Sequence, residues 1–128
     1  NHATRDGKPL HEDPVIRQRI AQLATECEVG RLLGVNFISA AMQGGKTPTI
    51  EASCYKLYST ELSLRIANAT MDIVGPGAQL ALDTEDAPLR GRPERCYTYT
   101  VIDTIGGGSS EVQKNIISRR HLGLPKNF

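Results

Sequence analysis

Ile105-Gly106-Gly107-Gly108-Ser109-Ser110-Glu111-Val112-Gln113-Lys114-Asn115-Ile116-Ile117 joins a glycine run to a polar step and then to an amphipathic helical pattern. Three consecutive glycines allow positive φ and let the backbone approach another group closely. Ser110 and Gln113 have the spacing of a capping box, with Ser110 as N-cap and Gln113 reaching back. The N–H groups of the first turn and the helix dipole then favour an anion or polar oxygens in front of the helix. On physics alone the segment reads equally as a cofactor loop and as a plain structural turn.

Upstream of this turn the chain reads as helices. Residues 1–12 form a polar lead-in with turn chemistry at Asp6-Gly7-Lys8-Pro9. Asp13-Pro14 starts a helix, with Asp as N-cap and Pro at the first helical position. Ile16, Ile20, Leu23, Cys27, Gly34, Ile38 and Met42 mark its apolar face, while Arg17, Gln18, Gln22, Glu26 and Arg31 lie off it. Gly30 and Gly34 lower helix propensity, but four residues apart they let a neighbouring helix come close. Gly44-Gly45 ends the helix.

Thr47-Pro48 repeats the start signal. Ile50, Cys54, Tyr58, Leu62, Ile66, Ala69 and Ile73 form a second stripe, stopped by Val74-Gly75-Pro76-Gly77. Asp83 to Pro93 reads as a loop. Tyr97 to Thr104 is β-branched enough for a strand, yet no other convincing strand exists to pair with it, and it is read as a short helix. The last helix runs from about Ser110 to about His121. Helices joined by short turns predict an all-α, antiparallel up-down bundle over residues 13–128.

At 128 residues the chain suits one domain. A net charge of +1 gives no argument for nucleic acid. No apolar run approaches the ~20 residues of a membrane span, and no signal peptide is visible. Hydrophobic residues make up 39% and aromatics 5%, which predicts an aliphatic, alanine-rich core. Cys27, Cys54 and Cys96 are too few and too widely spaced for a disulfide framework or zinc site, and read as reduced, mostly buried thiols of a cytoplasmic protein. His2, His11 and His121 have no metal-ligand spacing.

The stretch from Gly107 to Arg120, followed by Leu122-Gly123-Leu124-Pro125, closely resembles the C-terminal signature of flavin-dependent acyl-CoA dehydrogenases, I-G-G-G-T-S-E-I-Q-R-N-I-I-A-x-R-x-L-G-L-P. It departs through Ser109 for Thr, Val112 for Ile, Lys114 for Arg and Ser118 for Ala. Glu12 to Ala21 resembles the second helix of that family's C-terminal domain, and Lys56 sits where the third helix usually carries a lysine. Met71-Asp72-Ile73-Val74-Gly75-Pro76-Gly77 resembles the family's Q-x-x-G-G-x-G segment, with Asp for Gln and Gly-Pro for Gly-Gly. The resemblance implies that the bundle's first helix lies before Asn1. The chain then looks like a fragment of a larger enzyme.

The family reaction implied is α,β-dehydrogenation of an acyl-CoA thioester. A carboxylate takes the α-proton, FAD accepts the hydride, and an electron-transfer flavoprotein commonly reoxidises it. In medium-chain-type members the base is a Glu just before the Gly-Thr of the motif. Here that position is Gly107, so no catalytic residue is supplied within this chain. Some branches carry the base on the bundle's first helix, and others form heteromers in which one subunit has none.

The resemblance assigns flavin contacts to Gly108, Ser109 and Glu111, and contacts to a neighbouring subunit's flavin to Asp72, Gly75 and Gly77. It implies a dimer or tetramer, homomeric or heteromeric. A non-catalytic partner subunit, or a related flavin oxidase or monooxygenase, is the alternative. Arg90, Arg92 and Arg95 read as a solvated loop cluster rather than phosphate ligands. Lys56 reads as a bundle salt bridge rather than a cofactor ligand. Tyr97 and Tyr99 read as packing residues rather than an acyl pocket.

Overall fold

Asp13 begins the bundle in the way its side chain dictates. In this computed structural model, which describes residues 4–5, 7–45 and 47–125, Asp13 Oδ1 accepts from the N–H groups of Val15 at 2.8 Å and Ile16 at 3.2 Å. With Pro14 at the first helical position, that cap launches α1 (Pro14–Met42). Gln43 closes it, and Gly44 and Gly45 follow at φ 73° and 97°. The second helix, α2 (Thr49–Val74), starts one residue later than its sequence suggests. Pro48 takes ψ 64°, outside the helix, and no side chain caps the end.

Two short strands, β1 (Thr4–Arg5) and β2 (Lys8–Pro9), and a 3₁₀ turn at Leu10–Glu12 occupy the stretch read as a plain lead-in. Asp6 of its turn lies outside the described residues, as do His2 and both ends of the expected 1–12 and 13–128 division.

The segment after α2 holds more structure than a loop. A 3₁₀ turn at Pro76–Gln79 leads to a turn at Pro88–Gly91, where Leu89 and Arg90 take left-handed backbone. Helix α3 (Arg92–Ile105) then starts five residues before the expected Tyr97, because Pro93 fits a first helical turn. Helix α4 (Ser110–Arg120) completes the chain.

Helices α1, α3 and α4 all pack on α2. Gly30 and Gly34 of α1 form the closest seam. A Cβ on Gly30 would lie 3.6 Å from Leu62 Cδ2 and Tyr58 Cε1, and one on Gly34 only 3.1 Å from Tyr55 Cε2. Phe37 stacks on Tyr55, with ring centroids 6.3 Å apart. Low numbers on α1 meet high numbers on α2, so the two run antiparallel. Ile66, Ala67 and Thr70 share a groove with Pro93 and Cys96, while Ser63 shares one with Thr100 and Asp103. That order makes α3 antiparallel to α2. Lys56 meets Gly108, and Glu61 meets Lys114, so α4 runs alongside α2 in the same direction. The bundle is all-α and up-down, as expected.

The core is small: Ile16, Leu62, Ala67, Ala69 and Ala78 are its buried apolar residues. The expected α1 stripe is half right. Ile16 is buried and Leu23 half-buried, but Ile20, Ile38 and Met42 are exposed, Met42 at 82%. Cys27 and Cys96 are exposed and Cys54 half-buried, rather than mostly buried. Cys96 lies at the rim of the groove between α2 and α3, and Ile20 at the rim of one shared with Ile73 of α2.

Glu26, expected off the contact face, lies on it. Its carboxylate accepts from Arg65 Nε at 2.7 Å and from Gln22 Nε2 at 3.0 Å. Arg65 also sits 5.7 Å from the Tyr58 ring centroid, and the Tyr58 hydroxyl donates to the Glu26 carbonyl.

Alanine at Gly30 meets only ordinary contacts and should stabilise the chain by roughly 0.5–1 kcal/mol in denaturant unfolding. Gly30→Leu should destabilise it, since the seam has no room for a larger side chain. The Arg65 and Gln22 bonds hold the Glu26 carboxyl below the usual carboxylate range. A carboxyl depressed on folding stabilises fully above its ordinary value, and that contribution disappears as pH falls through the depressed one. Thermal midpoints followed from roughly pH 7 to pH 3 should therefore fall more for the native chain than for Glu26→Gln.

Candidate functional site

The turn between α3 and α4 is built by its glycines. The Gly106 N–H donates to Ile102 O at 2.8 Å, ending α3, and the Gly108 N–H donates to Ile105 O at 3.2 Å. Gly107 and Gly108 then take φ 70° and 101°. At Gly108 a side chain is excluded twice, by that φ and because a Cβ would come within 2.8 Å of Gln113 Nε2.

Ser109, not Ser110, is the N-cap, and no side chain caps the helix. The expected capping box does not form. The Ser109 hydroxyl donates instead to Glu111 Oε2 at 2.7 Å. Gln113 does reach back, but to acceptors: its Nε2 donates to the carbonyls of Gly107 at 2.9 Å and Gly108 at 3.4 Å. The physical reason is burial. Gln113 is only 4% exposed, and the glycine carbonyls beside it have no helical partners of their own.

Lys56 is the residue whose role the sequence concealed. No ion pair includes it among the described residues. Its Nζ donates to the Gly108 carbonyl at 2.5 Å, across 52 positions of sequence. The expected salt bridge is replaced because an unpaired carbonyl from the turn lies next to the ammonium group.

Glu111 is exposed, and its carboxyl is held below the usual carboxylate range, chiefly by the Ser109 hydroxyl and then by its own backbone N–H. It is therefore an anionic acceptor at neutral pH. The turn thus presents a hydroxyl, a carboxylate and an uncapped helix start on one surface.

Asp72, Gly75 and Gly77 lie elsewhere. Gly75 closes α2 at φ 81°, its N–H donating to Met71 O. Gly77 packs against Pro88, whose Cγ a Cβ would approach to 2.9 Å. Lys56 and Gly75 are nineteen positions apart along α2 and its C-cap, roughly 28 Å at helical rise. One copy of the chain therefore does not bring its two predicted half-sites together.

Arg90, Arg92 and Arg95 are exposed, the latter two on α3 rather than in a loop. Tyr97 and Tyr99 are partly exposed, Tyr99 at 61%, and Tyr99 lines the groove beside Ser63 and Ile66 of α2. Among the described residues no group of His, Cys, Asp and Glu could hold a metal ion, and no helix is long and apolar enough to cross a membrane.

Known proteins share this fold and about a third of its sequence. Acyl-CoA dehydrogenase FadE26 of Mycobacterium tuberculosis is 32% identical over 123 residues, covering 94% of this chain and 30% of that protein. Acyl-CoA dehydrogenase IpdE1 of the same organism is 32% identical over 119 residues, covering 90% of this chain and 28% of that protein. The crystal structure of the ChsE4–ChsE5 complex from Mycobacterium tuberculosis aligns with a TM-score of 0.83 at 34% identity, covering 98% of this chain and 32% of that one. The chain spans about 30% of the length of the relatives it matches. Residues 1–122 match the acyl-CoA dehydrogenase C-terminal domain, and the chain belongs to the acyl-CoA dehydrogenase family as that domain.

Proposed function

We propose that this chain is the C-terminal bundle of an FAD-dependent acyl-CoA dehydrogenase, supplying a subunit interface and part of the FAD site for α,β-dehydrogenation of an acyl-CoA thioester. The α3–α4 turn is the observation that supports this best. Its donor set suits a nucleotide. The Glu111 carboxylate can accept from ribose hydroxyls, the Ser109 hydroxyl lies beside it, and the uncapped start of α4 favours polar oxygens. At Gly107 no atom lies within 4 Å of a would-be Cβ, so the turn has open space in front of it. Bound FAD would supply the hydride acceptor. The residues of this chain would bind and orient it: Gly108, Ser109 and Glu111 from one copy, and Asp72, Gly75 and Gly77 from its neighbour.

Gly107 cannot take a proton, so on this reading the base is not supplied at this turn. The exposed apolar residues of α1, among them Leu32, Val35, Ile38 and Met42, favour an oligomer, homomeric or heteromeric. An electron-transfer flavoprotein is the expected oxidant. The three free cysteines favour a reducing, cytoplasmic setting.

A second reading has a specific observation in its favour. The missing carboxylate at Gly107 suits a partner subunit that contributes structure but no base. The ChsE4–ChsE5 relative is itself a complex. A flavin oxidase or monooxygenase on the same fold would differ by consuming oxygen.

The complete protein carrying this segment, purified alone and with any co-purifying subunit, should retain flavin that acyl-CoA bleaches under anaerobic conditions. Bleaching by the protein alone supports the first reading, and bleaching only in the complex supports the second. A protein that holds no flavin in either form overturns both. The 128-residue chain by itself should be catalytically inert.

A further inference from the structure

The turn that carries Ser109 and Glu111 is made of the residues least able to hold a shape. A run of three glycines gives up more backbone freedom on ordering than any other residues would. Something must fix it, and no Cβ of its own does. Two side chains from different helices meet its carbonyls. Lys56 Nζ from α2 donates to Gly108 O, and Gln113 Nε2 from α4 donates to Gly107 O and, at longer range, to Gly108 O. Consecutive carbonyls are thus anchored from two directions.

The anchoring has a directional consequence. The peptide unit is planar and trans, so the Ser109 N–H points opposite to the Gly108 carbonyl. With that carbonyl drawn toward Lys56, the Ser109 N–H is turned away from α2. The surroundings strengthen the anchors. Gln113 is buried and Lys56 half-buried, so the ammonium–carbonyl bond is charge-assisted and partly shielded from water. The other tether between these helices, Lys114 to Glu61 at 3.8 Å, is an exposed pair of little weight.

We propose that Lys56 and Gln113 are positioning residues, which hold the Gly107–Ser109 backbone in the form that presents Ser109 and Glu111 to FAD. The proposal rests on the flavin reading of the turn. Neither residue touches the cofactor in this account. Both act through the backbone, and the affinity of the turn for flavin depends on their having ordered it beforehand.

The test is FAD titration of the deflavinated complete protein, with its partner subunit where it has one, together with thermal melts of the apoprotein. Lys56→Met and Gln113→Leu should each raise the FAD Kd about tenfold while the apoprotein midpoint stays within about 3 °C. Lys56→Arg keeps a donor within reach of Gly108 and should recover most of the affinity. The two residues reach the turn from different helices, so a variant that fails to fold leaves the other to decide. An unchanged Kd with a lowered midpoint would make them a mere strut and overturn the proposal. Ser109→Ala and Glu111→Ala serve as the reference. If they weaken FAD and the Lys56 and Gln113 variants do not, the positioning role is wrong. If neither set weakens it, the flavin reading of the turn fails first.

Discussion

Helix α2 carries α1, α3 and α4 on its sides, and the arrangement depends on how closely α1 can lie against it. Gly30 and Gly34 set that approach, with Leu62, Tyr58 and Tyr55 filling the space their missing side chains leave. Small residues on α2 itself answer the same demand: Ser53, Ala67 and Ala69 are buried where bulk would push the neighbours away. Small residues such as these bury little apolar area each. The seam therefore gains from polar contacts at its edge, where Arg65, Glu26 and Tyr58 bond one another.

This seam explains which parts of the fold were legible. The start of α1 and the ends of α1 and α2 were readable because Asp13-Pro14, Gly44-Gly45 and Gly75 act through local backbone chemistry. The close approach at Gly30 and Gly34 was readable for the same reason, since absence of a Cβ is a property of the residue alone. The apolar stripe of α1 was not. Apolar residues lie on more than one side of that helix, and periodicity does not say which side meets α2. Ile16 is buried and Leu23 half-buried, whereas Ile20, Ile38 and Met42 are exposed. Glu26 misled in the opposite sense, because a charged residue can sit in a contact when Arg65 meets it.

At the turn, local pattern and long-range contact divide in the same way. The glycines announced positive φ, and two of the three adopt it. Of two adjacent serines the sequence reading chose Ser110 as N-cap, and Ser109 takes the position. The capping-box spacing of Gln113 was real, but the amide found carbonyls instead of the N–H expected of it. Lys56 could be noted in the sequence as a lysine in place, yet its partner lies 52 residues on and is a backbone atom. No side-chain pattern encodes such a bond. It exists because the return of α3 brings the end of the glycine run to the first half of α2.

The same return path separates the two predicted half-sites. The turn lies against the first half of α2, whereas Gly75 and Gly77 stand at its far end, roughly 28 Å away. An isoalloxazine or an adenine bridging both within one chain would have to run the length of the bundle. Under the proposed function, two copies or two related subunits would remove that demand if a two-fold axis set the far end of one α2 near the turn of the other. The exposed apolar residues on the outer side of α1 and on α3 are then consistent with surfaces buried by assembly. On the proposed function, oligomerisation would be part of building the cofactor site. A subunit lacking a base at Gly107 can still be indispensable to it, since its turn and the end of its α2 would each complete a different flavin pocket.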